Sequence, residues 1–312
     1  MPGRQGNATR RGWIGGAATM GATLVAGRAG HGGEPTEGFV DAHVHVWTPD
    51  VARAPLAAGF TAADMQPASF TPDELLAACR PHGVDRVVLV QMSFYGFDNA
   101  FMLDCIAARP DTFAGVAIID HERPEVAATL RMLRGRGVRG VRLYADRAKA
   151  ERWAAAGMDR LWAAAADEGI ALCLLADPDA LPAIRRQVDR FPRATVVVDH
   201  CARIGMRGPI DPGDVDALVG LAAFPGVHVK VSAFYALGAK AAPYDDLAPL
   251  VRRLRDAFGA ERLMWGSDAP YQLAPGHGYG PSVALPRERL GFLSGPERRA
   301  LLRGTAARLF FS

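Results

Sequence analysis

The 312 residues are 49% hydrophobic and 22% charged, an ordinary globular composition that is sufficient for one large core or two smaller ones. The formal net charge is only +3 and the arginines are scattered, which excludes the clustered basic surface of a nucleic-acid-binding protein. The expected partner is a small molecule, and no motif indicates an oligomeric state. Four widely spaced cysteines without CxxC pairing predict buried free thiols: Cys79, Cys105, Cys173 and Cys201.

The beginning of the chain predicts an export signal. Arg10 and Arg11 precede a mildly apolar, Gly- and Ala-rich stretch at 15–27, which is typical of twin-arginine signals. This stretch is too short and too weakly apolar to span a membrane. We therefore expect a signal and linker at 1–37, an exported periplasmic protein, and one domain at 38–312. A disordered tail that contains arginines is the alternative.

From Phe39 onward, short apolar runs alternate with helical stretches, a rhythm that predicts a parallel sheet. Eight candidate strands match a (β/α)₈ barrel. A doubly wound open sheet is the alternative, but no Gly-rich phosphate-binding turn follows the first strand. The candidate strands are Phe39–Val46, Arg86–Met92, Phe113–Ile119, Val138–Tyr144, Ile170–Leu175, Ala194–Asp199, Val227–Ser232 and Arg262–Ser267.

The first strand carries polar residues where a barrel strand should be apolar. Alternate side chains of a strand face opposite sides of the sheet. Two histidines at i, i+2 would therefore lie on one side, close enough to hold a single cation, although histidines with satisfied hydrogen bonds in the core are the alternative. The alternation predicts that Val40, Ala42, Val44 and Val46 face the helices and that Asp41, His43 and His45 face the interior.

Two more strands end in ionisable residues. The sixth strand ends with Asp199 and His200, and the eighth is followed by Asp268. An isolated Asp at such a position is commonly a helix N-cap. The carboxyl ends of all barrel strands meet at one mouth, so we expect His200 and Asp268 to converge there with the two histidines of the first strand.

The fourth strand and the loop after the second strand supply candidate substrate-binding residues. Arg142 shares a face with Gly140 and Tyr144 near the mouth, and a guanidinium matches a carboxylate bidentately. Arg142 and Tyr144 are therefore predicted to clamp an anion, whereas Arg139, of opposite parity, should reach the helix layer. The loop after the second strand offers polar and aromatic side chains that could bind substrate or serve as turn residues: Ser93, Tyr95 and Asn99.

The seventh strand places His228, Lys230 and Ser232 on its inward parity. Lys230 stands out because the only other lysines are Lys149 and Lys240. It lies deeper than Ser232, so an ion pair with Asp41 or a neighbour competes with a catalytic role as its explanation.

These residues together resemble the amidohydrolase superfamily, and within it the amidohydrolase-related branch that includes lactonases of sugar acids and of intermediates in aromatic degradation. The resemblance covers most of the chain after the signal. It rests on the segments Phe39–His45, Ser93–Asn99, Arg139–Arg142, Asp199–Arg203 and Gly266–Pro270.

The resemblance implies a hydrolytic centre with Asp268 as the base that activates water. It also implies that Ser93, Arg142 and Arg203 hold substrate carboxylates. The fifth strand lacks a histidine and the fourth lacks a bridging lysine, which argues against a binuclear metal site. The segment after strand seven lacks an arginine that some relatives use, so the substrate stays open. The expected catalytic residues are Asp268, His200, His43 and His45.

The predicted reaction is attack of Asp268-activated water on the carbonyl of a small carboxylated or sugar-type lactone. One Zn²⁺ held by His43, His45 and Asp268, with His200 as a further ligand or a neighbour, would complete an open catalytic site. Related lactonases also work without metal, so both forms remain open. The alternatives are a metal-dependent decarboxylase of the same branch, disfavoured by the missing histidine, and a non-catalytic periplasmic small-acid-binding barrel.

Overall fold

Parallel strands follow one another in chain order around a nearly closed barrel in the computed structural model, which describes residues 38–150, 153 and 156–312. Valines dominate many of the strands, as buried parallel strands favour. The predicted alternation of strands and helices is confirmed. The strands are β1 (Phe39–Val44), β2 (Val84–Val90), β3 (Phe113–Ala117), β4 (Val138–Ala145), β5 (Ala171–Ala176), β6 (Val196–Val198), β7 (Val227–Ser232) and β8 (Leu263–Gly266).

The first and eighth strands meet at the mouth of the barrel. The Asp268 N–H donates to the His43 carbonyl at 2.8 Å, and the His45 N–H donates to the Ala269 carbonyl at 2.9 Å. These bonds join the two segments that carry three of the four predicted catalytic side chains.

Helices surround the strands. The first helix begins at Pro72, where Thr71 and Glu74 form a capping box. Among the described residues, no helix combines the length and the apolar character that crossing a bilayer requires. The helices are α1 (Pro72–Cys79), α2 (Ala100–Ala108), α3 (Val126–Gly135), α4 (Arg147–Ala150), α5 (Ala156–Glu168), α6 (Leu181–Arg190), α7 (Pro212–Val219), α8 (Ala248–Phe258), α9 (Tyr279–Ala284), α10 (Gly295–Arg299) and α11 (Thr305–Phe310).

The buried apolar side chains form two clusters. The larger cluster packs the strands against the helices. The smaller one fills the barrel interior and is closed at the amino ends of the strands by Ala306 and Phe310 of α11. Its other members are Val40, Ala42, Val88, Val90, Ala114, Val116, Ala171, Cys173, Val197 and Met264.

A bulge interrupts β1. Asp41 pairs with Val87 and Val44 pairs with Leu89, so β1 holds one more residue than β2 between these two pairs. An extra residue of this kind reverses the alternation of side chains along a strand.

The bulge makes part of the predicted facing of β1 wrong. Val40 and Ala42 belong to the interior cluster and do not face the helices. Asp41 does not face the interior: its carboxylate accepts a hydrogen bond from Tyr279 of α9 at 2.5 Å, and Tyr279 packs in the outer cluster. The two histidines that follow the bulge point inward as predicted.

Several strand ends also differ from the predicted ones. The first strand ends at Val44 and the sixth covers only Val196–Val198, so both are shorter than predicted, whereas the second begins two residues earlier than predicted, at Val84. The four cysteines are free and buried, as predicted. The export signal predicted at 1–37 lies outside the described residues.

Candidate active site

The structure brings the four predicted catalytic side chains together at the mouth, around one carboxylate oxygen. Asp268 Oδ1 lies 3.2 Å from His45 Nε2, 3.5 Å from His43 Nε2 and 3.9 Å from His200 Nε2. All four side chains are buried. A carboxylate surrounded by three imidazole nitrogens can take up a proton or share a cation with them.

Unusual backbone conformations place two of these side chains. The four residues from His200 to Arg203 all have φ between 50° and 55°, and Asp268 has φ 67°. Left-handed conformations are unfavourable for residues with a Cβ, and such strain persists where the surrounding structure fixes it. The turn after β6 and the turn after β8 thereby direct His200 and Asp268 towards the same point.

Each histidine ring is held through its Nδ1 atom. His45 Nδ1 donates to the Val90 carbonyl at 2.7 Å, which leaves Nε2 of the neutral ring with a lone pair. His200 Nδ1 lies 2.8 Å from Ser232 Oγ. His43 Nδ1 faces Asp199 at 3.5 Å. All three Nε2 atoms therefore point to the centre.

Asp41 supports the centre from outside the barrel. Its Oδ1 accepts hydrogen bonds from the His43 N–H at 3.1 Å and the Ser267 N–H at 2.8 Å. Burial raises the pKa of Asp41 to about 6, against the lowering effect of its hydrogen bonds from Ser267 and Tyr279. The Asp41 carboxylate thus connects His43 on β1 with Ser267, the residue that directly precedes Asp268. The close approach needs Gly266, since a Cβ there would lie 2.9 Å from the His43 Cβ.

The electrostatics of the centre keep Asp268 ionised. Burial alone would raise the pKa of Asp268, but His200, His45 and His43 hold it well below its usual value. Tyr235 donates a hydrogen bond to Asp268 Oδ2 at 2.7 Å. Burial and the neighbouring carboxylate raise the pKa of Tyr235, so its hydroxyl remains a donor.

The donor set fits a divalent cation. Within the described part of the chain, neither Asp268 Oδ1 nor His43 Nε2 has a hydrogen-bond partner, although burying such atoms unpaired is costly. Two imidazoles and a carboxylate are ligands that Zn²⁺ accepts. His43, His45 and Asp268 could hold a metal, and a second group that shares His43 adds Asp199 and His200.

An ion pair lies beneath the centre. Lys230 Nζ is 3.1 Å from Asp199 Oδ1, and both side chains are fully buried. The sequence predicts Asp41 or a neighbour as the partner of Lys230; the bulge turns Asp41 away, and Asp199 is the carboxylate that Lys230 contacts. Arg139 bonds to the Arg134 carbonyl of α3, as predicted for the helix layer.

A cleft of about 210 Å³ opens above Asp268. Arg142 lines this cleft and also the neighbouring cavity that Tyr144 lines. Its guanidinium carbon lies 5.5 Å from the Tyr144 ring centre, and no carboxylate among the described residues pairs with it. The cleft is lined by His45, Arg142, Leu175, His200, Arg203, Met206, Ala233, Tyr235, Ala236, Leu237, Asp268 and Tyr271.

Three side chains of the loop after β2 that are predicted substrate contacts do not line this cleft. Ser93 is exposed. Tyr95 is buried against Phe94, with ring centres 4.8 Å apart. The Asn99 amide bonds to both the N–H and the carbonyl of Ile118, so its hydrogen-bonding capacity serves the loop.

Arg203 does line the cleft, but a buried acid already binds it. Its guanidinium pairs with Asp177 at 2.6 Å, while its Nε has no hydrogen-bond partner in the described chain. Arg142 is therefore the cationic group that the cleft leaves open to an anion.

The sequence patterns do not identify Tyr235 and Tyr271, which line the cleft near Asp268. Both lie in loops, where no periodicity marks an inward side chain. The available signal was position alone, since each follows the end of a barrel strand. The alternation along strand seven predicts that Ser232 faces inward but indicates no role for it. In the structure, its hydroxyl contacts His200 Nδ1 and holds the imidazole ring.

Comparisons with known proteins point to one family. A relative, the L-fucono-1,5-lactonase of Burkholderia ambifaria, is 31% identical over 290 residues, covering 87% of this chain and 94% of the relative. The 4-sulfomuconolactone hydrolase of Rhizobium radiobacter is 26% identical over 247 residues, covering 75% and 76%. A zinc-bound amidohydrolase from Burkholderia multivorans matches with a TM-score of 0.74 at 25% identity, covering 88% of this chain and 99% of that one. The amidohydrolase family model matches residues 40–311, and the chain belongs to this family.

Proposed function

We propose that the protein hydrolyses a small lactone. The observation that carries the proposal is the position of Asp268 at the floor of a cleft, where its Oδ1 lies between three histidines and has no hydrogen-bond partner among the described residues. The names of the relatives, which include a lactonase and a muconolactone hydrolase, support a cyclic ester as substrate.

In the proposed reaction, Asp268 takes a proton from a water molecule, which attacks the lactone carbonyl. His200, held by Ser232 at 2.8 Å, faces the same point and stabilises the charge that develops on the carbonyl oxygen. The ring C–O bond then breaks, and protonated Asp268 returns its proton to the leaving alkoxide. Water and lactone thus yield one hydroxy acid, and the carboxylate is regenerated.

Tyr235 restrains the base throughout this sequence. Its hydroxyl donates to Oδ2 of Asp268, so Oδ1 is the oxygen that remains available for the proton. A divalent cation held by His43, His45 and Asp268 would act as a Lewis acid towards the carbonyl when bound.

We propose a carboxylate on the substrate, bound by Arg142. Arg142 is 8% exposed, its guanidinium has no acidic partner in the described chain, and a planar fork of donors suits a carboxylate. Sugar-type and carboxylated lactones both contain the reacting ester, but only the carboxylated ones offer an anion that Arg142 can bind. Removal of Arg142 should therefore weaken the binding of acidic lactones selectively.

A hydrolysis screen tests the proposal. Sugar lactones and muconolactones are supplied to the wild type and to Asp268→Asn, and acid release is followed at constant pH. Loss of the base should lower turnover by about 10²–10⁴-fold. Asp216→Asn, which removes an exposed surface carboxylate, is the matched control and should leave turnover unchanged.

Wild-type turnover in Asp268→Asn would contradict the assignment of the base. Release of CO₂ from an aromatic acid by the metal-loaded protein, without lactone opening, would move the function to the decarboxylase alternative.

We also propose that residues 1–37 direct export through the twin-arginine pathway. The paired arginines and the short apolar stretch after them support this. A reporter fused after residue 37 should reach the periplasm, and replacing both arginines with lysine should retain it in the cytoplasm. Equal export of the two fusions would contradict the proposal.

A further inference from the structure

Lys230 is a buried cation that the proposed reaction does not use. Its side chain is fully buried and does not line the cleft. The ammonium lies 5.6 Å from the centre of the Phe310 ring, which belongs to α11 at the closed end of the barrel. Lys230 is thus separated from any substrate and acts, if at all, through the side chains that it contacts.

Those side chains lead directly to the centre. Lys230 Nζ, Asp199 Oδ1 and His43 Nδ1 form a triangle with sides of 3.1 Å, 3.3 Å and 3.5 Å. All three residues are fully buried. The opposite nitrogen of the same ring, His43 Nε2, faces Asp268 at 3.5 Å.

The triangle allows His43 two neutral tautomers. If Nδ1 carries the proton, it donates to Asp199, and Nε2 offers a lone pair to the centre. If Nδ1 is unprotonated, it accepts from Lys230, and Nε2 carries an N–H. A lone pair is what a cation requires, and the hydrogen bond on the far nitrogen of a histidine decides which tautomer forms.

We propose that the Lys230–Asp199 pair is a tautomer selector for His43, with both members as positioning residues. Lys230 forms an ion pair with Asp199, which holds the carboxylate in place, and the positive charge of the ammonium balances the negative charge of the carboxylate. Asp199 then accepts the Nδ1–H of His43, and the Nε2 lone pair faces the metal position. The Asp199 carboxylate supports this assignment, since neither of its buried oxygens has a hydrogen-bond partner within the described chain and Oδ1 lies 3.5 Å from His43 Nδ1, where an Nδ1–H would satisfy it.

The inference rests on the metal centre of the proposed function, but turnover is not its readout. Full-length protein labelled with ¹⁵N-histidine is dialysed against a chelator, and the protonated nitrogen of His43 is identified by NMR. His43→Gln assigns the signals. Zinc affinity is then measured by titration against a competing chelator. A protein that behaves as proposed yet opens no lactone contradicts the proposed function alone.

In the wild type, the proton of His43 should reside on Nδ1. In Asp199→Asn the charge that attracts the Lys230 protons is gone, so Lys230 donates to Nδ1 and the His43 proton moves to Nε2. Zinc affinity should then fall by about 10–100-fold, as is typical when such outer partners are lost.

The double variant Asp199→Asn/Lys230→Met provides the decisive comparison. Without the lysine, nothing forces Nδ1 to accept, and the side-chain amide oxygen introduced by Asp199→Asn can accept the Nδ1–H again. The double variant should therefore bind zinc more tightly than Asp199→Asn alone. A merely structural pair predicts the reverse, because two lost partners disturb the site more than one.

His228→Gln is the matched control. His228 is a buried residue of the same strand that bonds to the Gly226 carbonyl, and its replacement should leave the His43 tautomer and zinc affinity unchanged. A wild-type proton on Nε2, or a double variant no tighter than the single one, would overturn the proposal. The wild-type spectrum decides even if a variant fails to fold.

Discussion

At the amino ends of the strands, Ala306 and Phe310 of α11 close the barrel against an apolar interior. At the carboxyl ends, buried histidines and carboxylates face a cleft, some with polar atoms that have no hydrogen-bond partner among the described residues. The closed end follows the general rules of stable packing, whereas the mouth departs from them. Departures of this kind are expected where function, rather than stability, sets the residue.

The backbone shows the same contrast. The described residues other than glycine with positive φ all lie in the loops that follow β6, β7 and β8. None of them is at the closed end of the barrel. Conformational strain therefore lies at the same end of the barrel as the site. These residues are His200, Cys201, Ala202, Arg203, Ala233, Lys240, Tyr244 and Asp268.

The largest predicted effect tests the closed end. Phe310 is 1% exposed and fills the bottom of the barrel, so Phe310→Ala should leave a cavity and lower the free energy of unfolding by about 3–5 kcal/mol. Urea denaturation measures this value. The control is Phe97→Ala, which removes a ring that is 60% exposed and should change stability by less than about 0.5 kcal/mol. Equal losses in the two variants would contradict the assigned role of α11.

The second prediction concerns the junction between the mouth and the helix layer. Burial raises the pKa of Asp41 to about 6 from 3.8. The folded protein therefore binds this proton more tightly than the unfolded chain, and the associated stability is present below pH 3.8 and is lost as pH rises through about 6. A shift of about two units corresponds to roughly 3 kcal/mol.

Asp41→Asn removes this titration. The free energy of unfolding of the wild type, relative to Asp41→Asn, should fall as pH rises from about 4 to about 7. Urea titrations of both proteins at several pH values measure the difference, with Asp216→Asn as the control for lost surface charge. A pH-independent difference would show that Asp41 keeps an ordinary pKa in the folded protein.

Much of this organisation could be predicted from the sequence. Strand periodicity predicted the barrel, and convergence of parallel strand ends predicted the meeting of His200 with Asp268. The facing of Asp41 could not be predicted, because a bulge inserts one residue without changing the apolar pattern around it. The positions of Asn99 and Tyr235 could not be predicted either, since loop side chains follow local hydrogen bonds and no period.

The smallest predicted effect tests whether strain at the mouth is needed. Ala202 is fully buried with φ 55°. A β-branched side chain is poorly tolerated in this conformation, so Ala202→Val should lower the free energy of unfolding by about 1–3 kcal/mol. In Ala202→Gly, relief of about 1–2 kcal/mol of left-handed strain is offset by the greater freedom of the unfolded glycine, and stability should stay within about 1 kcal/mol of the wild type.

Turnover then separates the two explanations of the strain. Glycine accepts the left-handed turn but also accepts others, so the direction of His200 is less firmly fixed in Ala202→Gly. Because small displacements of a positioned group are costly to catalysis, lactone turnover should fall in this variant although its stability is nearly unchanged. If turnover stays at the wild-type value, the strained turn is a tolerated feature of the mouth, and the hydrogen bond between His200 Nδ1 and Ser232 is sufficient to set the direction of the ring.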